Sequence, residues 1–339
     1  MNYLEVLENA RQNIGPKCKA CPECNGIACG NTLPGPGSKA PGNGANDNYN
    51  AWRKIKLNMD TIVANTEIDT KANFLGRELD MPLFSAPIGS IRLQYNPTDD
   101  VKDFNEKCMA ACESRGLMHF YSTGIEEATH ISAIKSRIAH GNSGIPVINP
   151  EADDNIIAQM KRCNETQAPH AITVVVDSAG LPHLKQCHGS GGTKSVEQLK
   201  MLSEAAGVPF VVKGVMTAKS ALKAVEAGAD AIIVSNHGGR VLADSPATAE
   251  VLKEIADAVK GKTTIIVDGG IRTGIDMFKA YALGADFCMI CRPVLISYYG
   301  GGQEGMECYF DKLRAELTDT MYMCGARKIA DITEEMIRF

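Results

Sequence analysis

A histidine and an arginine lie three residues apart, directly after one of the apolar runs of the chain. The run at 231–234 is short, rich in β-branched residues and not alternating, so it predicts a strand buried on both faces. His237 and Arg240 follow it, separated by two glycines. An imidazole transfers protons near neutral pH, and a guanidinium binds a carboxylate through paired hydrogen bonds. Taken alone, the segment is either such a site or a tight turn carrying surface charge.

Two further stretches carry groups that can bind anions. Lys213 follows an apolar run, where an unpaired ammonium is costly unless it meets an anion or an electron-rich ring. It can form a Schiff base or stabilise negative charge on a cofactor. Between Asp268 and Arg272 lie two glycines that allow backbone N–H groups to approach a phosphate, and Arg292 adds positive charge. We infer a phosphate site, with helix-capping glycines and solvent-exposed arginines as the plainer alternative.

An eightfold alternation of strand and helix patterns must position these groups. Short apolar runs predict strands at 83–86, 117–121, 146–148, 172–176, 210–212, 231–234, 264–267 and 287–290. Helical periodicity predicts helices at 101–114, 126–136, 154–162, 196–206, 218–227, 247–259, 275–283 and 302–323. Eight such units, none with a G-x-G-x-x-G connection, favour a (β/α)8 TIM barrel over a doubly wound sheet.

The predicted barrel explains where the ionisable residues fall. In TIM barrels, chemistry takes place at the carboxyl ends of the strands. Six ionisable groups follow four consecutive strands, the fourth to the seventh: Asp177, Lys213, His237, Arg240, Asp268 and Arg272. A purely structural barrel has no reason to gather them on one rim. We therefore predict one site that combines proton transfer, a carboxylate anchor and a phosphate-binding loop.

Composition limits the classes of partner. The 339-residue chain is 44% hydrophobic and 22% charged, as in soluble globular proteins, and its formal net charge is −5. This charge gives no electrostatic reason to expect nucleic acid or an anionic membrane as partner. No apolar stretch has the length of a membrane span, and residues 1–16 do not resemble a signal peptide. Of the twelve cysteines, seven are scattered along the predicted barrel and are explained by buried free thiols in a reducing compartment, so we expect a cytoplasmic protein.

The chain divides into an N-terminal extension at 1–50, rich in Cys, Gly and Pro, and the barrel at 51–339, which begins with short strands or a hairpin at 51–79. Within the extension, four cysteines have the spacing C-x2-C-x2-C-x4-C: Cys18, Cys21, Cys24 and Cys29. They offer four thiolates to zinc or to an iron–sulfur cluster, but the pattern is incomplete for either. A loop that covers the barrel with packed or reactive thiols is the favoured interpretation, and we assign no metal ligand.

Five stretches in the second half of the chain form longer motifs. They are VKGV at 212–215, IVSNHGGR at 233–240, PAT at 246–248, DGGIRTGID at 268–276 and RPVL at 292–295. These motifs closely resemble those of the FMN-dependent α-hydroxy-acid oxidase and dehydrogenase family, which includes glycolate oxidase, lactate oxidase and the flavin domain of flavocytochrome b2. The resemblance is nearly continuous over 209–332 and looser over 44–176.

The resemblance implies a TIM barrel with FMN at the strand ends and a role for each catalytic residue. His237 resembles the catalytic base, Asp177 the aspartate that orients it, and Arg240 the arginine that binds the substrate carboxylate. Lys213 resembles the lysine that stabilises the reduced, anionic flavin. The positions that match the flavin site are Pro87, Ile88, Gly89, Ser122, Lys213, Ser235, Asp268, Gly270, Arg272, Cys291 and Arg292.

The chain departs from the family pattern around the substrate. Residues 146–149 replace a stretch that carries a flavin-contacting glutamine and a substrate-contacting tyrosine, and Val175 replaces a threonine. The family's N-terminal tyrosine would fall near residues 40 and 41. The turn directly after Asp177 lacks the arginine that the family has there. We assign Asn149 to the substrate, together with His237 and Arg240; His183 and His188 could also compensate, but solvent-facing loop residues are the favoured interpretation for both. The resemblance therefore implies a divergent branch of the family.

The leading hypothesis is an FMN-dependent oxidoreductase that converts a small 2-hydroxy acid to a 2-oxo acid, with His237 as base and Arg240 as carboxylate anchor. The altered pocket keeps open an FMN-dependent isomerase or reductase that uses the same site. A third hypothesis is a flavin-binding redox relay in which the four N-terminal cysteines hold a metal or exchange electrons. By analogy with the family, we expect a homo-oligomer, either a tetramer or an octamer.

Overall fold

Eight parallel strands close into a barrel in the computed structural model, which describes residues 1–124, 126–181, 184 and 191–339. The strands are β1 (Leu83–Ser85), β2 (Met118–Ser122), β3 (Gly144–Ile148), β4 (Ile172–Val175), β5 (Phe210–Val215), β6 (Ala231–Val234), β7 (Thr264–Val267) and β8 (Phe287–Ile290). Each strand pairs with its neighbour in the chain, and β8 pairs with β1 to close the ring. The predicted TIM barrel is confirmed, with each strand within a few residues of its predicted bounds.

The helices lie outside the barrel, as the alternating pattern predicts. Those that follow strands are Val101–Ser114, Glu127–Ala139, Asp153–Asn164, Val196–Ala206, Ala218–Glu226, Thr248–Val259, Gly274–Ala282 and Arg292–Cys324. Short helical turns occupy Ile91–Gln94, Val176–Gly180, Ile329–Asp331 and Glu334–Met336. The last long helix is kinked at Gly301 and Gly302, so the predicted helix at 302–323 is only its second part. Within the described residues, no helix has both the length and the apolar character needed to span a membrane.

Two helices form in the N-terminal region, where the sequence pattern predicts none. Tyr3–Asn13 begins with a capping box between Asn2 and Glu5 and packs on the long C-terminal helix. Gly44–Lys54 begins at Asn43, whose side chain accepts a hydrogen bond from the backbone of Asn46, and crosses the predicted boundary between residues 50 and 51. Periodicity misses it because its composition is mostly polar, although Trp52 on its inner face is fully buried.

A hairpin closes the amino-terminal end of the barrel. Ala72–Phe74 pairs antiparallel with Arg77–Leu79, which confirms the predicted hairpin in the stretch 51–79. Phe74 at its tip is fully buried, and its ring lies 4.8 Å from that of Phe84 and 5.3 Å from that of Phe287. A second short strand, Lys56–Leu57, pairs with Ile337–Arg338 at the other end of the chain. Among the described residues, aromatic rings thus fill this end of the barrel.

We predict that Phe74→Ala lowers the free energy of unfolding by about 3–5 kcal/mol, because the lost ring leaves a cavity among barrel residues that cannot collapse onto it. Urea denaturation measures the change. Leu4→Ala is the control, since Leu4 is 72% exposed, and it should change stability by less than about 0.5 kcal/mol. Equal effects of the two substitutions would show that Phe74 does not plug the barrel.

Candidate active site

A deep pocket lies at the carboxyl ends of the barrel strands. Its empty volume is about 1220 Å³, with solvent at its mouth included. Every strand end contributes to its wall, through Ala86, Ser122, Asn149, Val175, Lys213, His237, Asp268 and Cys291. A pocket with apolar walls and a few converging polar groups at this end of a TIM barrel is the expected place for binding and catalysis.

The imidazole of His237 is held by a carboxylate from the fourth strand unit. His237 Nδ1 lies 3.2 Å from Asp177 Oδ1 and 3.3 Å from Oδ2. The backbone of His237 has a φ of +56° and donates to Ser235 Oγ over 3.1 Å, which fixes the residue in its turn. Because Nδ1 faces the carboxylate, the neutral ring carries its N–H on Nδ1 and its acceptor lone pair on Nε2. The pair predicted from sequence is therefore formed with the polarity that a general base needs.

Gly214 allows Asp177 to reach this position. The pairing of β5 with β6 shifts register between Lys213 and Val215, so Gly214 forms an irregularity in the strand. Its φ is +105°, and a Cβ at this position would lie 2.6 Å from the Cβ of Asp177. Any larger residue here would push the carboxylate away from His237.

Lys213 is buried but not unpaired. Its Nζ donates to Asp268 Oδ2 and to Ser235 Oγ, each over 2.5 Å. Burial acts to lower the pKa of Lys213, but the nearby charges of Asp268 and Asp177 hold it above its ordinary value. The lysine is therefore a permanent cation, and a Schiff-base role, which requires the neutral amine, does not fit this environment. A cation that stabilises negative charge on a ligand does fit.

The loop after β7 and Arg292 form a second positive region of the pocket. Arg292 donates from Nη2 to the carbonyl of Gly238 over 2.9 Å, and Arg272 donates from Nε to the carbonyl of Cys24 over 2.7 Å. The Nη2 atom of Arg272 is buried and has no hydrogen-bond partner. A buried donor without a partner costs free energy unless a ligand supplies the acceptor. The loop fits a phosphate group, as predicted.

The N-terminal helix Gly44–Lys54 builds part of the site that the sequence reasoning missed. Asn48 and Asn236 exchange hydrogen bonds between their side-chain amides, of 2.8 and 3.1 Å. Asn48 Oδ1 also accepts from the backbone of Thr248 over 3.0 Å. The Trp52 indole donates to the carbonyl of Gly269 over 2.8 Å. These contacts join residues about two hundred positions apart, so no local sequence signal could have shown them.

Arg240 is also engaged by the extension. Its Nη1 donates to the carbonyl of Gly35 over 2.6 Å, and the backbone of Lys39 donates to the carbonyl of Gly239 over 2.8 Å. Burial lowers the pKa of Arg240 from its ordinary value, but the guanidinium remains charged at neutral pH. Residues 35–39 thus lie against the mouth of the barrel, as the covering-loop interpretation predicts.

The remaining residues predicted for the flavin site line the pocket walls, with one exception. Those on the wall are Pro87, Ile88, Gly89, Ser122, Gly270 and Cys291. Ser235 instead lies behind the wall and acts through Lys213 and His237. Burial raises the pKa of the Cys291 thiol, which keeps it neutral. His183 and His188, for which solvent-facing loop positions are the favoured interpretation, lie outside the described residues.

Two pocket residues concern the substrate end. Asn149 lines the pocket as predicted, and its Oδ1 accepts from Ser178 Oγ over 3.2 Å, which leaves its side-chain NH2 as the donor. Tyr95, which the sequence reasoning did not single out, also lines the pocket and is buried. Its burial raises the pKa of the phenol, so Tyr95 acts as a neutral hydroxyl.

Comparison with known proteins identifies similar chains. The sequence profile of the FMN-dependent dehydrogenase family matches residues 37–191 and 188–339. A peroxisomal (S)-2-hydroxyacid oxidase of Arabidopsis thaliana is 32% identical over 330 residues, which cover 86% of this chain and 87% of the relative. A mandelate oxidase variant with a monooxide FMN adduct is 25% identical, with a TM-score of 0.73 over 90% of this chain and 94% of that one. A variant of flavocytochrome b2 with bound pyruvate is also 25% identical. Its TM-score is 0.76, and the match covers 89% of this chain and 80% of that one.

We predict that Gly270→Ala weakens FMN binding at least about tenfold. The residue has a φ of +79°, and an added Cβ would lie 2.2 Å from the backbone oxygen of Asn48. The clash and the strained backbone together cost about 1–3 kcal/mol or more. Quenching of flavin fluorescence during titration of the apoprotein measures the dissociation constant.

Gly261→Ala provides the matched control for Gly270→Ala. Gly261 has a similar φ of +76°, but an added Cβ would meet no heavy atom within 4 Å. Gly261→Ala should destabilise the fold slightly and leave FMN affinity unchanged. Unchanged affinity in both variants would contradict the assignment of this loop to the cofactor.

Proposed function

Since the chain belongs to the FMN-dependent dehydrogenase family, it is an FMN-dependent oxidoreductase acting on 2-hydroxy acids, and we propose that His237 and Arg240 carry its chemistry. The observation that carries this proposal is the convergence of the Asp177–His237 pair, Arg240 and the phosphate-binding arginines on one pocket. FMN, when bound, accepts the two electrons that leave the substrate. The protein supplies binding, orientation and proton transfer.

His237 acts as the base in this proposal. Its Nε2 takes the proton of the substrate hydroxyl, which makes the ring an imidazolium. The carboxylate of Asp177, 3.2 Å from Nδ1, stabilises that positive charge and fixes the orientation of the ring. The proton later passes to solvent, to which the His237 side chain is 25% exposed.

Arg240 anchors the carboxylate of the acid. Its guanidinium is buried in the pocket wall. Among the described residues, its one hydrogen-bond acceptor is the neutral carbonyl of Gly35. A buried cation without an anionic partner is costly, so a substrate carboxylate that supplies the negative charge binds favourably. The side-chain NH2 of Asn149 and the hydroxyl of Tyr95 are placed to contact the rest of the substrate.

Lys213 and the phosphate loop hold the cofactor. Gly270, Arg272 and Arg292 would hold the phosphate of FMN, and Lys213 would offer its permanent charge to the negative charge of the reduced flavin. The altered pocket is the one observation that favours an isomerase or reductase, whereas similar proteins are 2-hydroxyacid oxidases by name. Oxidation of a 2-hydroxy acid to a 2-oxo acid is therefore the activity we assign.

We also propose that the protein works in the cytoplasm as a homo-oligomer. Eleven cysteines in the described part of the chain are free thiols, which suits a reducing compartment. One face carries several exposed apolar side chains, namely Met59, Ile62, Val63, Tyr322 and Met323. The stretches 59–63 and 322–323 lie side by side, because the backbone N–H of Asp60 donates to the carbonyl of Met323. A second copy of the chain would cover this face.

His237→Ala tests the proposed base. We expect 2-hydroxy acids added without oxygen to bleach the flavin of the wild-type protein, and the variant to be reduced about 10²–10⁴ times more slowly because the base is missing. The flavin content should be unchanged, since His237 is not part of the phosphate site. His140→Ala, a surface change, serves as control, and stopped-flow absorbance gives the rates. Normal reduction of the His237 variant would show that another group takes the proton.

Ile62→Asp tests the proposed oligomer. A buried charge at a subunit contact would be strongly destabilising, so the variant should show a smaller mass in analytical ultracentrifugation while keeping its flavin. Leu222→Asp, at an exposed position on the helix Ala218–Glu226, is the control and should leave the mass unchanged. A wild-type protein that sediments as a monomer would contradict the proposal.

A further inference from the structure

A second, smaller cavity lies beside the flavin pocket. Its empty volume is about 380 Å³, with open solvent included, and it shares Tyr95 and Arg292 with the larger pocket. Four thiols line it, those of Cys18, Cys21, Cys24 and Cys29, and no other cysteine in the described ranges does. An ordinary packed core would fill such a space with apolar side chains.

The loop that carries these cysteines is fixed by the body of the protein. Arg272 donates to the carbonyl of Cys24 over 2.7 Å, and Arg11 donates to that of Ala20 over 3.1 Å. The Asn43 side chain donates to the carbonyl of Gly26 over 3.0 Å. The thiols are therefore held around the cavity by contacts on several sides of the loop.

The thiols do not pair with one another. All four are free, and within the described residues no three Cys, His, Asp or Glu side chains are placed to hold a single metal ion. A zinc ion with sulfur ligands at about 2.3 Å would draw four thiolates to within about 4 Å of each other. An iron–sulfur cluster spreads its ligands over several iron atoms, so its thiolates surround a space instead of meeting at a point.

We propose that Cys18, Cys21, Cys24 and Cys29 bind an iron–sulfur cluster in this cavity. The first three follow the C-x2-C-x2-C spacing of cluster-binding ferredoxins, and the fourth follows after four residues in place of three. Lys19 and Arg292 line the same cavity, and their positive charge offsets that of a cluster bound by four thiolates.

The position of the cavity gives the cluster a role, which rests on the proposed function. Oxidation of the 2-hydroxy acid releases two electrons and two protons, and the protons pass to solvent. The cluster, next to the flavin pocket, passes the two electrons singly to a one-electron carrier protein. The partly exposed cysteine loop is where such a carrier would dock.

Metal analysis of the full-length holoprotein, purified without oxygen, tests the site. We expect stoichiometric iron and acid-labile sulfide, and an electron paramagnetic resonance signal after reduction with dithionite. Cys21→Ser and Cys24→Ser should lose the iron and the signal, whereas Cys308→Ser, outside the cavity, should retain them. FMN content reports whether each variant is folded. Zinc without iron, a disulfide among the four thiols, or no iron after reconstitution with ferrous iron and sulfide would overturn the proposal.

Reduction of the protein with a 2-hydroxy acid instead of dithionite tests the electron relay separately from the proposed function. A 2-hydroxy acid should bleach the flavin and produce the same resonance signal. Bleaching without the signal would overturn the relay. A signal with dithionite but no bleaching by any 2-hydroxy acid would support the cluster and overturn the proposed activity.

Discussion

The mouth of the barrel depends on one constraint, that a buried charge must have a partner. Lys213 meets this constraint inside the protein, because Asp268 and Ser235 both accept hydrogen bonds from its ammonium. Arg240 and Arg272 meet it only in part, through backbone carbonyls, and one nitrogen of Arg272 has no acceptor. The protein thus neutralises the charge of Lys213 itself. It leaves the positive charges of Arg240 and Arg272 without an anionic partner, so that anionic ligands can bind there. In the proposed function, a phosphate and a carboxylate would supply the negative charge.

The N-terminal extension completes this arrangement. The side-chain amides of Asn48 and Asn236 bind each other, and Arg53 forms a paired salt bridge with Asp276, whose carboxylate also accepts from the backbone of Arg272. The helix Gly44–Lys54 therefore fixes the loops after β6 and β7 together. Residues before it supply the Gly35 carbonyl at Arg240 and the cysteine loop at Arg272. What composition marks as a separate segment is a structural part of the active site.

Much of this could be predicted from the sequence, because buried parallel strands and amphipathic helices leave local patterns. The bounds of β6, β7 and β8 match the predicted runs, and the strand ends locate Lys213, His237 and Asp268. The flavin could be predicted only from the family resemblance, since the charges and spacing of the residues indicate a phosphate group but do not identify a flavin ring. Tyr95, Asn48 and Gly35 could not be found, because their roles depend on contacts between distant parts of the chain. The pairing of Lys56–Leu57 with Ile337–Arg338 was hidden for the same reason.

The central claim is that one pocket holds the flavin and presents a 2-hydroxy acid to His237. A crystal structure of the protein with FMN and a bound 2-oxo acid tests it most directly. The account predicts the phosphate of FMN against Arg272 and Arg292, the carboxylate of the acid against Arg240, and its oxo oxygen within hydrogen-bond distance of His237 Nε2. A carboxylate bound away from Arg240, or an oxo oxygen out of reach of His237, would contradict it.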